Sequence, residues 1–164
     1  MMHIPLFRGK TSLFAGVLTL LLAVPAMACT LPSGSGALKA QVIQLLNAER
    51  ARAGLPALRS SGQLGQASQS LACDNAARQA LQHVGLDGSR VGQRARAAGY
   101  RFRSVTEVIY RGRGDARAAV NWWMNSPDHR TNILSQTRDI GVGVALSSAP
   151  DSRLHWVVNM GVTK

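Results

Sequence analysis

Asn121-Trp122-Trp123-Met124-Asn125-Ser126-Pro127-Asp128-His129-Arg130-Thr131-Asn132-Ile133-Leu134, running on into Ile140-Gly141-Val142-Gly143-Val144, is the stretch that decides the fold. A tryptophan-bearing helix is expected to end at Asn125. Ser126 then restarts a helix as N-cap, with Pro127 at the first helical position, where a missing N–H costs nothing. His129 falls in the first turn of that helix, aimed by the cap rather than left on a mobile loop. The glycine–valine alternation that follows reads as a strand.

Upstream, Asp115 is placed to cap the helix Ala116–Asn125, with Val120, Trp123 and Met124 as its core face. Only one of two adjacent indoles can point fully inward. Trp123 is expected in the core, and Trp122 at the surface or a cleft rim. Ser104–Tyr110 alternates, with Val105, Glu107 and Ile109 on one face. A carboxylate between two aliphatics is expensive unless it is paired or ligating something. Downstream, Asp139–Leu146 and Leu154–Met160 read as two strands of a hairpin joined by the polar turn Ser147–Arg153. On the last strand His155 alternates with Val157 and Asn159 and is expected on the solvent side.

Toward the N-terminus, Leu38, Val42, Leu45 and Leu46 form one helical stripe, stopped by Gly54 and Pro56. Ser60 or Ser61 caps a second helix, carrying Leu64, Ala67, Leu71 and Ala72 and running toward Leu81. A turn-rich loop, Gln82 to Ser89, holds His83 at its entrance. Val91 to Ala98 reads as a short helix ended by Gly99. Helices thus precede and separate antiparallel strands, which makes the class α+β.

Residues 1–28 are expected to stand outside the fold. Arg8 and Lys10 precede an apolar run from Ser12 to Val24, then Ala26-Met27-Ala28, the pattern of an export signal cut after Ala28. The run is shorter than the ~20 residues a spanning helix needs, and no later segment is long enough to cross a bilayer. Residues 29–36 form a flexible lead-in and 37–164 one domain. Removing 28 of 164 residues leaves 136, enough for one core and too few for two. Secretion, or residence in the periplasm or cell envelope, is the expected localisation, and a monomer the expected state. In an exported chain Cys29 and Cys73 fit one disulfide; a buried free thiol at Cys73 and a lipid anchor at Cys29 are the alternatives.

Without Arg8 and Lys10 the formal charge falls from +11 to +9. Eight arginines lie between Arg90 and Arg117. They could attract an anionic envelope component, or simply form a solvated face, the reading preferred here. A nucleic-acid partner is not expected, because no binding motif is present and few aromatics lie among the arginines. Zinc-protease, Cys-x-x-Cys, phosphate-loop and Gly-x-Ser-x-Gly motifs are all missing. What remains is His83, Glu107 and His129, on three segments that could converge. Two imidazoles and a carboxylate suit Zn²⁺ or a similar divalent cation. Each also has an ordinary reading, as a loop residue, an arginine partner and a helix-start residue.

Leu46-Asn47-Ala48-Glu49-Arg50 with Gly54-Leu55-Pro56-Ala57-Leu58, His83 with Asp87-Gly88-Ser89, Arg94 to Tyr100, and the opening block with Trp156-Val157 resemble the bacterial CAP superfamily (cysteine-rich secretory, antigen 5, pathogenesis-related; SCP-like). The resemblance spans about Ala37 to Gly161. It implies an α-β-α sandwich with an antiparallel sheet between helical layers and a central cleft. His83, Glu107 and His129 match the family's cleft residues, a set that binds a divalent cation in some members. The usual Gly-Glu-Asn reads Thr106-Glu107-Val108, and Arg94 stands where many eukaryotic members carry a second acid. A single carboxylate beside an arginine implies weak metal affinity and a cleft that could favour an anionic ligand. The expected function is an exported binding module whose cleft holds an ion and a small, lipid or polymer ligand. The alternatives are a hydrolase, with His129 as base, Glu107 orienting it and Ser126 or a metal-bound water attacking, and a basic adhesin for envelope polymers.

Overall fold

The computed structural model describes Met1, residues 29–147 and residues 154–164. The expected export signal, Met1 aside, and most of the Ser147–Arg153 turn lie outside the described residues. The elements in chain order are α1 (Ser35–Arg52), β1 (Arg59–Ser60), α2 (Gly62–Ala77), α3 (Val91–Ala97), β2 (Phe102–Gly112), α4 (Ala116–Met124), α5 (Pro127–Ile133), β3 (Asp139–Leu146) and β4 (Leu154–Thr163). The class is α+β, as expected.

The sheet runs β1-β3-β4-β2, with β4 antiparallel to both β2 and β3. Val42 and Leu46 of α1, Ala119, Val120 and Trp123 of α4 and Ile133 of α5 pack on one face, against Val108, Val142, Val144, Trp156 and Val158. The other face carries α2, whose Leu71, Ala72 and Ala76 meet Ile109, Ala145 and Val157. Leu64, Ala95 and Tyr100 extend that layer toward α3. The sheet is therefore enclosed between helices on both sides.

The glycines of β3 explain how closely α2 approaches. A Cβ on Gly141 would lie 2.0 Å from the Gly65 nitrogen, and one on Gly143 2.4 Å from the Ser68 carbonyl carbon. With the backbones in contact, Ser68 bridges two strands: its hydroxyl donates to the Gly141 carbonyl at 3.0 Å and accepts from the Asn159 N–H at 3.2 Å. Cys29 and Cys73 are disulfide-bonded, which ties the start of the described domain to α2.

Arg50 organises the opposite layer. It is fully buried and donates to the carbonyls of Pro56, Ile133, Ser135 and Thr137. One guanidinium thus holds the turn after α1 against the segment between α5 and β3.

Several local expectations shift. Strand β1 is only two residues long, too short to show a period, and pairs parallel with β3. Helix α2 stops at Ala77 rather than near Leu81 because Gln79 takes a left-handed conformation (φ 54°). Ala80 N–H then bonds the Asn75 carbonyl and Gln79 N–H that of Ala76, the two bonds of a Schellman ending. The ends of α1 and α3 use the same pair of bonds with Gly54 and Gly99, where glycine made them readable. His155 is only 1% exposed, not on a solvent face. Its strand is an interior one with helices over both faces, so alternation along β4 separates two cores rather than core from water.

Candidate functional site

Four elements contribute. Glu107 lies midway along β2, Arg94 on α3, His83 in the loop after α2, and His129 in the first turn of α5. The Glu107 carboxylate is the centre of the group. One oxygen pairs with His83 Nδ1 at 2.9 Å and the other accepts from Arg94 Nη2 at 2.8 Å. The Arg94 and Glu107 side chains are 4% and 2% exposed, that of His83 54%. Burial makes this pair a structural commitment, since loss of either partner would strand a charge away from water.

Arg94 also holds the loop. The same nitrogen donates to the His83 carbonyl at 3.1 Å, while Nη1 donates to the Ser89 carbonyl. The loop is folded around itself as well. Gly85 N–H donates to the Ser89 carbonyl, Ser89 N–H to Asp87 Oδ1 and Leu86 N–H to Asp74 Oδ2. The Arg94 guanidinium is thus engaged with Glu107 and with two carbonyls of the loop. A carboxylate oxygen paired through its partner oxygen with Arg94 accepts, so His83 donates from Nδ1, and among the described contacts its Nε2 has no partner.

His129 is not part of this hydrogen-bonded set. Its Nδ1 pairs with Ser126 Oγ at 2.7 Å. Ser126 was expected to cap α5 with its hydroxyl, yet the side chain makes no bond to the helix backbone. It orients the imidazole directly instead. Trp122 stacks obliquely on the ring, with centroids 4.8 Å apart, and Tyr110 lies 5.4 Å behind Trp122. Trp123 is fully buried and donates from its indole to the Ile109 carbonyl at 2.9 Å, whereas Trp122 is 42% exposed. The two indoles divide as expected. Burial, and then the neighbouring His83, hold the His129 pKa below the usual imidazole value, against a weaker opposing pull from Asp128.

His83 and Glu107 line a pocket of about 260 Å³ together with Arg90, Val91, Val105 and Thr106. A larger pocket of about 430 Å³ lies between α2 and α3, bounded by Gln66, Ser70, Asp87, Gln93 and Arg94. The side chain of Arg94 forms part of that second pocket's wall.

Of the expected metal ligands His83, Glu107 and His129, the structure brings the first two into hydrogen-bond contact. Both Glu107 oxygens are already paired and the side chain has almost no open surface. Among the described residues, no three His, Cys, Asp or Glu side chains gather as a cation would require. Sequence reasoning brought out the four residues but not their connections. It gave no site role to Ser89, quoted only within Asp87-Gly88-Ser89, or to Tyr110, quoted only as the end of its strand.

The sequence model of the cysteine-rich secretory protein family, CAP, matches residues 43–160. The uncharacterized protein YkwD of Bacillus subtilis (strain 168) is 29% identical over 119 residues, which is 72% of this chain and 46% of that protein. An extracellular protein containing a SCP domain from Bacillus anthracis str. Ames superposes with a TM-score of 0.69 at 24% identity, over 78% of this chain and 41% of that one. An outer surface protein from Borrelia burgdorferi superposes with a TM-score of 0.72 at 20% identity, over 84% of this chain and 100% of that one. The chain thus spans less than half the length of the two Bacillus proteins. These structural likenesses establish the fold. Among the described residues no helix is long and apolar enough to cross a membrane.

Proposed function

The chain belongs to the CAP family of cysteine-rich secretory proteins, and from that premise we propose that it is an exported binding module whose cleft presents His83 and His129 to a small or polymeric ligand. The relatives named as extracellular or outer-surface proteins and the Cys29–Cys73 disulfide support export. One observation carries the binding reading: both imidazoles are oriented through Nδ1, by Glu107 and by Ser126, which leaves each Nε2 for a ligand. Glu107 and Arg94 act as positioning residues that fix the His83 loop. Trp122 forms an aromatic edge beside His129.

Trp122 also supplies the test, because it is the exposed indole in contact with His129. Candidate saccharides, anionic polymers and lipid vesicles are titrated while its emission and iodide quenching are followed. The expected response saturates, disappears in His83→Ala/His129→Ala protein, and persists at about 1 M salt, where charges are screened beyond about 3 Å. A response lost at high salt but kept in the double variant would assign binding to the arginine-rich surface instead.

The 2.7 Å contact between Ser126 and His129 favours hydrolysis as the second reading, since a nucleophile beside a base is its minimal requirement. Among the described contacts no carboxylate orients His129, so binding ranks first. Esterase or peptidase turnover abolished by Ser126→Ala and by His129→Ala would reverse that order.

A further inference from the structure

We infer that Arg94 is a built-in counter-cation for Glu107, filling the electrostatic place of a divalent ion, so that the carboxylate becomes a metal ligand only when the guanidinium is removed. A carboxylate with 2% of its side chain exposed requires a compensating charge. Arg94 supplies it from a side chain equally withdrawn from water, at 2.8 Å. The pair joins α3 to β2, so it is made by the fold rather than by a flexible surface contact.

A cation approaching Glu107 has two routes past Arg94, and both are unfavourable. Displacing Arg94 would strand a buried guanidinium and release the carbonyls of His83 and Ser89. Sharing the carboxylate with Arg94 would set two positive charges side by side in a poorly solvated site. Displacing His83 from the other oxygen would sacrifice one prospective ligand to gain another. With Arg94 replaced by a neutral residue, the penalties tied to the guanidinium vanish. Glu107 then carries an uncompensated charge beside the His83 imidazole, a donor pair suited to Zn²⁺ or Co²⁺. This deepens the reading of the cleft as a binding site. Its readout is metal uptake rather than ligand binding, so the two can fail separately.

The experiment titrates metal-free protein with Zn²⁺ by calorimetry and with Co²⁺ by visible absorption, comparing wild type with Arg94→Gln, Arg94→Met and Arg94→Lys. Circular dichroism confirms that each variant is folded. The neutral variants should bind Zn²⁺ roughly tenfold or more tightly than wild type, with a Co²⁺ band that Glu107→Gln or His83→Ala removes. Arg94→Lys, which keeps a cation, should behave as wild type. Equal affinity in wild type and folded Arg94→Gln, or a gain that survives Glu107→Gln, would overturn the inference. The wild-type protein decides even where the variants do not fold. Uptake abolished by Glu107→Gln overturns the inference, and uptake left unchanged by that substitution, or none at all, supports it.

Discussion

His155 should make this protein acid-sensitive, and the effect can be sized. The residue sits on interior strand β4, opposite Arg111 of β2 and Ala145 of β3, with 1% of its surface exposed. Neither ring nitrogen makes a hydrogen bond of ordinary geometry among the described residues, the Ala80 backbone offering only a weak polar contact. Burial, then the charge of Arg111, push its pKa down from 6.5 to about 4, while the Ala80 backbone pulls weakly the other way. The folded form is therefore neutral where the unfolded chain already binds a proton. Stability is complete above pH 6.5 and falls as pH drops toward about 4. Each pH unit in that window removes about 1.4 kcal/mol, so going from pH 7 to 5 should remove about 2 kcal/mol, and the whole window about 3. Against the ~5–15 kcal/mol of a typical domain this is a large fraction. Urea unfolding of wild type and His155→Phe at several pH values measures it. Contributions common to both proteins, including the lowered His129, cancel in the difference. The stability of the variant relative to wild type should rise by about 2 kcal/mol between pH 7 and 5. A difference constant to within about 0.5 kcal/mol over that range would mean that His155 does not titrate between the two states.

Gly143→Ala should destabilise by about 1–3 kcal/mol or more, because the new methyl group would meet the Ser68 backbone at 2.4 Å rather than a movable side chain; the urea midpoint checks this, and an unchanged midpoint would contradict the packing of α2 on β3. Cys73→Ser should lower stability by about 2–4 kcal/mol, since the lost crosslink spans a sequence separation of 44. Thermal melts of wild type with and without reductant should reproduce that loss, and the variant's melting should not respond to reductant.

Much of the fold was legible because its signals are local. Asp115 accepts from the Ala118 N–H and Ser61 from the Leu64 N–H, as caps placed there should. Trp123 and Val120 lie in the core on the face expected of them. Where the reading failed, the deciding contact came from elsewhere in the chain. β1 exists because residues 138 and 140 offer it carbonyls, Gln79 ends α2 without a glycine to announce it, and His155 is buried by a second helical layer. Arg50 shows the same limit. It was read as part of a family motif, and only the fold shows that its guanidinium gathers carbonyls up to 87 residues away.

The site divides along the same line. Residue type and placement at element boundaries brought out His83, Glu107 and His129, and the family resemblance chose them over their ordinary readings. Type could not say what the carboxylate binds. A buried acid can be neutralised by a metal, by a proton or by an arginine, and those outcomes require different ligands from one cleft. The choice depends on whether α3 brings a guanidinium within reach of β2, which Arg94 does at 2.8 Å. On the proposed reading Glu107 positions His83, and ligand contact falls to the two imidazole Nε2 atoms and the Trp122 edge. On the inference drawn above, one arginine separates a metal-dependent from a metal-independent cleft, and Arg94→Gln is the substitution that tests it.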